Sequence, residues 1–243
     1  MMKWLVDYFQ KSKTLEEVKI HLPLIINISH QKGGVGKSTT AWNLADAFRS
    51  LGLKVKLIDI DLQNTCIGLN NLRDKPFTDI VQIEDEQHLI NIINNVEEED
   101  DDILIIDSGG FDSSITRLAI MGADINITPV ADRVTEVLAV IQKYSKTLLE
   151  IEASSNEKVE SYVFLNRIHP FATHFEHIEE MIEDSQHMSM FDAIVRDRAI
   201  YDKSLVDGRS VFEASDIKGH EAAVSEMLAV CYELMKIHIK KEQ

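Results

Sequence analysis

Cysteine is scarce in this chain of 243 residues: Cys66 and Cys231 lie far apart, and neither belongs to a C-x-x-C pair. No thiolate cluster is therefore legible from spacing, and in a reducing compartment the two read as small, semi-buried side chains. No run approaches the roughly 18 consecutive apolar residues of a membrane span. The N-terminus has no signal-peptide cleavage pattern, so a cytoplasmic location without stable membrane insertion is expected. Positive charge is short as well, with 25 Lys and Arg against 41 Asp and Glu, a formal charge of -16 and a pI near 4.9. Phosphate contacts dominate non-specific DNA affinity, so a DNA-binding chain of this composition must gather its basic residues on one face. Internal repeats and low-complexity linkers are missing too.

The rest of the composition, 44% hydrophobic and 27% charged, is ordinary for a globular protein, and the length suits one domain with one sizeable core. The most informative stretch is His30 to Thr40, H-Q-K-G-G-V-G-K-S-T-T. It follows the apolar run Leu24 to Ile28 and leads into Ala41 to Phe48, which has helical spacing. Strand, glycine loop and helix in that order make a phosphate-binding loop. Glycines let consecutive backbone N–H groups converge on phosphate oxygens, and the helix adds its positive N-terminal end. Gly33, Gly34, Val35, Gly36, Lys37, Ser38 and Thr39 are the expected nucleotide contacts. Lys37 would neutralise the β- and γ-phosphates and the Ser38 hydroxyl would ligate Mg²⁺, so a nucleoside triphosphate is the expected ligand.

Two further strands end in carboxylates. Lys54 to Asp61 closes on Asp59 and Asp61, which period two puts on one side of an extended chain. In an open α/β sheet, ligands bind at the carboxyl ends of the strands. Ile103 to Asp107 is four apolar residues and an acid, the form of a Walker B strand buried on both faces, where Asp107 can hold a Mg²⁺-bound water. Downstream, the pattern predicts a helix over 85–95, a solvated acidic loop over 97–102, a strand over 124–130 and a long helix over 133–151. A strand over 159–166, a helix over 171–185 and a short strand over 191–195 come next. The final helix, over 220–239, carries Ala223, Met227, Val230, Leu234 and Ile237 on one core-facing stripe. Residues 1–22 read as a helical N-terminal extension, with Trp4, Leu5, Tyr8 and Phe9 sharing a face, and 23–243 as one domain built around the phosphate loop. The expected architecture is a doubly wound, mainly parallel sheet.

The loop K-G-G-V-G-K-S departs from the generic pattern because Gln31 stands where its first Gly should be and Lys32 opens the glycine run. This resembles the deviant Walker loop of the ParA/MinD family, and Gln31 leans towards ParA-type partition ATPases. D-I-D-L-Q-N resembles the family's D-x-D-P-Q motif, with Leu62 in place of Pro, while Ser108-Gly109-Gly110 replaces the usual D-T-P-P continuation. The resemblance spans residues 24–235. It implies a P-loop fold, Mg-ATP hydrolysis that is slow and stimulated by a ParB-like partner, and a homodimer formed on ATP. Lys32 would reach the nucleotide of the partner subunit, Asp61 would position the attacking water, and Asp59 would support the metal shell or the loop. Lys32, Lys37 and Asp61 are thus the catalytic set, and Ser38, Asp59 and Asp107 the metal set. Asn166, followed by Arg167, resembles the position whose amide recognises adenine. Arg196, Arg198, Lys203, Arg209 and Lys218 fall where family members carry their non-specific DNA surface, although Asp197, Asp202, Asp207, Glu213 and Asp216 interleave with them. If DNA is bound, the protein associates with the nucleoid. The alternatives are a MinD-like or cargo-positioning ATPase on a membrane or protein scaffold, and a non-catalytic nucleotide-gated interaction protein.

Overall fold

The computed structural model describes residues 2–77, 79–83, 85–96, 101–110 and 112–243, with the side chains of residues 2–5 left aside. Seven strands form one sheet: β1 (Leu24–Ile28), β2 (Val55–Asp59), β3 (Ile80–Gln82), β4 (Ile103–Asp107), β5 (Ile125–Val130), β6 (Ser161–Ile168) and β7 (Met188–Arg196). Their order is β3-β2-β4-β1-β5-β6-β7, and all the strand pairs are parallel. The expectation of a mainly parallel sheet is met by a wholly parallel one, whose central strands are apolar because helices cover both faces.

Alternation along β1 sorts the two faces. Leu24, Ile26 and Ile28 point into a core shared with α3 (Lys37–Ser50) and α11 (His220–Lys241). Ile25, with Leu104 and Ile106 of β4, points into the opposite core against α5 (Glu86–Asn94) and α6 (Ser114–Gly122). Helix α3 sits so deep that Thr40 to Phe48 are all buried. The stripe on α11 holds: Ala223, Met227, Val230 and Leu234 are buried and Ile237 packs against the same core.

Several boundaries differ from the sequence expectation. Strand β2 stops at Asp59, and Asp61 lies in the following turn, so the two acids are not neighbours along one extended chain. Two short helices, α4 (Thr65–Asn71) and α10 (Ala199–Leu205), occupy stretches without a clear periodic signal. The long helix after β5 is interrupted: α7 (Val134–Ala139) passes through a π-helical turn (Val140–Tyr144) into α8 (Ser145–Ser155). Helix α9 (Glu176–Glu183) starts five residues later than 171, because Pro170 leads a turn in which the Phe171 N–H faces His169 Nδ1. Of the acidic run, Glu97 to Asp100 lie outside the described residues. Asp101 pairs with Lys56 at 2.7 Å and Asp102 accepts the Lys54 N–H at 2.7 Å, so this end of the run anchors β2.

The N-terminal segment forms α1 (Met2–Gln10) and α2 (Lys13–Val18), the second capped by Ser12. Leu15 and Val18 are buried in the main core, and Phe9 meets Tyr232 of α11 edge-on at 5.4 Å. Tyr8 is exposed, and the side chains of Trp4 and Leu5 lie outside the described residues. Docking on α11 makes this segment a structural layer. Leu15→Ala should therefore cost about 2–5 kcal/mol, the range for emptying a buried leucine site. Urea unfolding measures it; a loss near zero would mean that α2 is not held by the core.

Candidate nucleotide site

The glycine loop lies at the carboxyl end of β1, between β4 and β5. Gly36 takes φ 98° as the N-cap of α3, and a Cβ there would come within 2.4 Å of Asn166 Nδ2. Both the left-handed backbone and the close approach require glycine. Asn166, at the far end of β6, donates to the Val35 carbonyl at 2.9 Å, and Arg167 donates to the Gly34 carbonyl at 3.0 Å. Asn166 thus spends one amide N–H on the loop itself while still lining the cleft beside it. That cleft, about 260 Å³, is bounded by Gly34 and Gly36 to Thr40 on one wall and by Asn166, Arg167, Arg196, Arg198 and Tyr201 on the other.

Lys37 is buried, its Nζ within 3.4 Å of the Lys32 carbonyl. Burial lowers the pKa of its ammonium, opposed by the charges of Asp107 and Asp61. Lys32 points elsewhere: its half-exposed ammonium pairs at 2.7 Å with Glu136 of α7, whose side chain is 10% exposed. Two lysines of one short loop therefore face different ways. Gln31 ties the loop to α8 through Thr147 Oγ1 at 2.7 Å. His30 is buried beneath, its Nδ1 accepting the Lys32 N–H at 2.8 Å. Burial, aided by the Lys37 ammonium, pulls its imidazole down to about 4.

The carboxylates converge from neighbouring strands. In the β2–β4 register Asp59 stands directly opposite Asp107. Asp59 Oδ1 accepts the Asp61 N–H at 3.1 Å, and Oδ2 accepts the N–H groups of Cys66 and Ile67 at 2.9 and 3.3 Å. Asp59 thereby satisfies the open N–H groups at the start of α4, a task of a helix cap performed from a strand. Asp61 accepts the Gln63 N–H at 3.0 Å, and its turn lies against Gly109, where a Cβ would stand 3.6 Å from the Asp61 Cα. Gly110 in turn lies against the Lys32–Gly33 backbone. The two glycines after β4 thus bring three loops into van der Waals reach. Asp107 is fully buried, and burial, offset by a hydrogen bond with Ser38, pushes its carboxyl up to about 7. Among the described residues its Oδ1 has no hydrogen-bond partner. A buried, unsatisfied carboxylate oxygen beside the Ser38 hydroxyl is the kind of donor set a hard divalent cation takes.

A polar thread crosses the sheet behind these groups: Ser108 Oγ donates to Asn27 Oδ1 at 2.6 Å, and Asn27 Nδ2 donates to Asn126 Oδ1 at 2.8 Å. Tyr144 of the π-helical turn bonds Ser29. Sequence reasoning missed Glu136, Cys66 and this thread, since none follows a spacing rule.

The profile of the CobQ/CobB/MinD/ParA nucleotide binding domain matches residues 26–210. The chain belongs to this family. The Caulobacter vibrioides chromosome partitioning protein ParA is 52% identical over 42 residues, 17% of this chain and 16% of that protein. The Bacillus subtilis sporulation initiation inhibitor protein Soj is 30% identical over 135 residues, 54% of this chain and 50% of its own length. The matches thus span half or less of these relatives. Among solved structures, the Aquifex aeolicus MinD cell division protein superposes with a TM-score of 0.64 at 18% identity, covering 85% of this chain and 95% of that one.

For the basic residues aligned by resemblance to a DNA surface, the structure shows specific neighbours. Arg196 donates to the His169 and Ala172 carbonyls and, like Arg198, lines the nucleotide cleft. Arg198 pairs with Glu226 at 2.6 Å, and Arg209 with Asp207 and Asp216 at 2.9 and 2.6 Å. Lys203 and Lys218 are exposed. These five do not make one unneutralised face. The turn they flank is nonetheless tightly built: Gly208, at φ 71°, leaves no room for a Cβ, which would meet the Leu69 carbonyl at 2.3 Å.

Asp107 and His30 predict opposite pH responses. A carboxyl whose folded pKa is raised to about 7 costs stability above that pH, and the cost fades as pH falls towards its unfolded value. Asp107→Asn should therefore raise the thermal midpoint of the nucleotide-free protein at pH 8, with the gain shrinking between pH 7 and 4. His30 acts the other way: its lowered pKa means stability that is full above about 6.5 and lost towards 4. Thermal melts of both proteins across pH 4–8 measure this, and a gain that did not depend on pH would contradict it.

Proposed function

We propose that the chain is a Mg-dependent ATPase switch that dimerises on ATP and positions cargo, with DNA as the first surface to test. The observation that carries this reading is the division of labour between Lys37, buried in its own loop, and Lys32, half-exposed and held outside it by Glu136. A lysine directed out of its own phosphate site is placed to serve a second nucleotide across a dimer interface. Ser38 and Asp107 would hold Mg²⁺, with Asp59 fixing the adjoining turn and α4; when bound, the cation neutralises phosphate charge. Lys37 would stabilise charge on the transferring phosphoryl group, Lys32 would add to this from the partner, and Asp61 would orient the water. Asn166 and Arg167 would contact the base side of the nucleotide while bracing the loop. A ParB-like partner would stimulate turnover.

A specific observation favours the second reading, positioning on a protein or membrane scaffold: the arginines of the expected DNA face are matched by carboxylates, in a chain of charge -16. Co-sedimentation with DNA under ATP, ADP and no nucleotide, across a salt series, decides between them. ATP-dependent, salt-sensitive binding supports DNA positioning; its absence at low salt with ATP-dependent dimerisation intact supports the scaffold reading.

Two variants test the switch. Lys32→Ala should abolish ATP-dependent dimerisation in sedimentation velocity while nucleotide still binds; a normal dimer would sink the role across the interface. Glu136→Gln releases Lys32 in each subunit from an ion pair worth about 0.2–1 kcal/mol, so over the two pairs of a dimer it should lower the protein concentration at half-dimerisation by about twofold to thirtyfold. No change would show that the pair does not compete with dimer formation.

A further inference from the structure

Cys66 has no part in the ATPase switch, yet it lies in the site. Its Sγ is 3.4 Å from Asp107 Oδ2 and 3.8 Å from the Ser38 carbonyl oxygen, and the residue is fully buried. Its backbone N–H donates to Asp59 Oδ2. One donor atom from each of Asp59, Cys66 and Asp107 lies within 4.8 Å of the others, the one such cluster found among the described residues. A second observation points to a ligand: Asp107 is 0% exposed, and among the described residues its Oδ1 has no hydrogen-bond partner.

We propose that Asp59, Cys66 and Asp107 form a binding site for a thiophilic divalent cation of the zinc class, filled without nucleotide. Zinc takes four ligands, with sulfur at about 2.3 Å and carboxylate oxygen at about 2.0–2.2 Å, so a tetrahedral edge between S and O measures about 3.5 Å. The Cys66–Asp107 separation of 3.4 Å already matches that edge. The facing positions of Asp59 and Asp107 in the β2–β4 register supply the second carboxylate, and the Ser38 hydroxyl or a water completes the four. A thiolate favours zinc or cadmium over magnesium, which prefers six oxygens in a strict octahedron. On binding, the S–H bond of Cys66 breaks, the sulfur electron pair goes to the cation and the proton leaves to solvent. The charges of a thiolate and two carboxylates are then matched by the cation together with Lys37, which lies in electrostatic range of Asp107. Asp107 and Ser38 also belong to the proposed Mg²⁺ set, so zinc would exclude Mg-nucleotide. Binding of the metal alone does not depend on the ATPase reading, so either can fail without the other.

The test uses the full chain with Cd²⁺ alone, followed by the ultraviolet thiolate-to-cadmium charge-transfer band, and with Zn²⁺ alone by calorimetry in buffers of different ionisation enthalpy. One cation per chain, the band, and release of the thiol proton are expected. Cys66→Ser should lose the band and weaken Zn²⁺ binding roughly 10- to 100-fold, the range for a disturbed metal shell, while Cys231→Ser keeps both. Circular dichroism confirms folding; should Cys66→Ser unfold, Asp107→Asn, which keeps the thiol, must show the same loss of Zn²⁺ affinity. Absence of the band, unchanged Zn²⁺ affinity in the Cys66 or, where it stands in, the Asp107 variant, or a band that follows Cys231 overturns the proposal.

Discussion

The parallel pairing of β2, β4 and β1 puts their carboxyl ends side by side, and the site depends on that alignment. Asp59 faces Asp107 across one strand pair and Ile28 faces Asp107 across the next, so the glycine loop after β1 starts next to two buried acids. A parallel sheet needs long crossovers, and the helices of those crossovers desolvate the strand ends. Desolvation raises the proton affinity of both acids and lowers that of Lys37. Within the cluster the Lys37 ammonium and the Asp107 carboxyl partly offset one another's burial.

The loops around that cluster are held by polar ties rather than by apolar packing. Asn166 and Arg167 reach from β6 to the loop carbonyls, Gln31 reaches to Thr147, and Asp59 caps α4. The π-helical turn belongs to the same arrangement. An inserted residue in a helix rotates every later side chain about the helix axis, and here Tyr144 bonds Ser29 at the end of β1 while Thr147, one turn on, takes Gln31. The phosphate loop is therefore tied to the α7–α8 helix, which also carries the Glu136 that pairs with Lys32. Lys32 is the loop's outward-facing charge, so this helix sets its position.

Much of this was legible in the chain itself. The glycine loop, the apolar strand ending in Asp107 and the core stripe of α11 come from local rules: glycine for left-handed backbone, continuous apolar residues for a doubly covered strand, 3.6-residue spacing for a packed helix. The late start of α9 and the end of β2 before Asp61 escaped periodicity, because local turns, led by Pro170 in one case and held by the Asp61 N–H on Asp59 Oδ1 in the other, end an element where the apolar pattern alone would continue it. The basic residues after β7 show the same limit. The interleaved acids visible in the sequence include Asp207 and Asp216, which pair with Arg209, but Glu226 is 28 residues from Arg198 along the chain and 2.6 Å away in space.

By itself the sequence determined the kind of site, since a phosphate loop needs its glycines, its lysine and its hydroxyl consecutively, and consecutive residues are visible without a fold. Only the tertiary structure decided what surrounds them. Glu136 lies 104 residues from Lys32, and Cys66 lies 41 from Asp107. Contacts of that kind come from strand order and helix phase, which no local spacing encodes. The glycine stretch therefore names a nucleotide, while the fold places one lysine under it, turns the other outward and sets a thiol against the acid beside it.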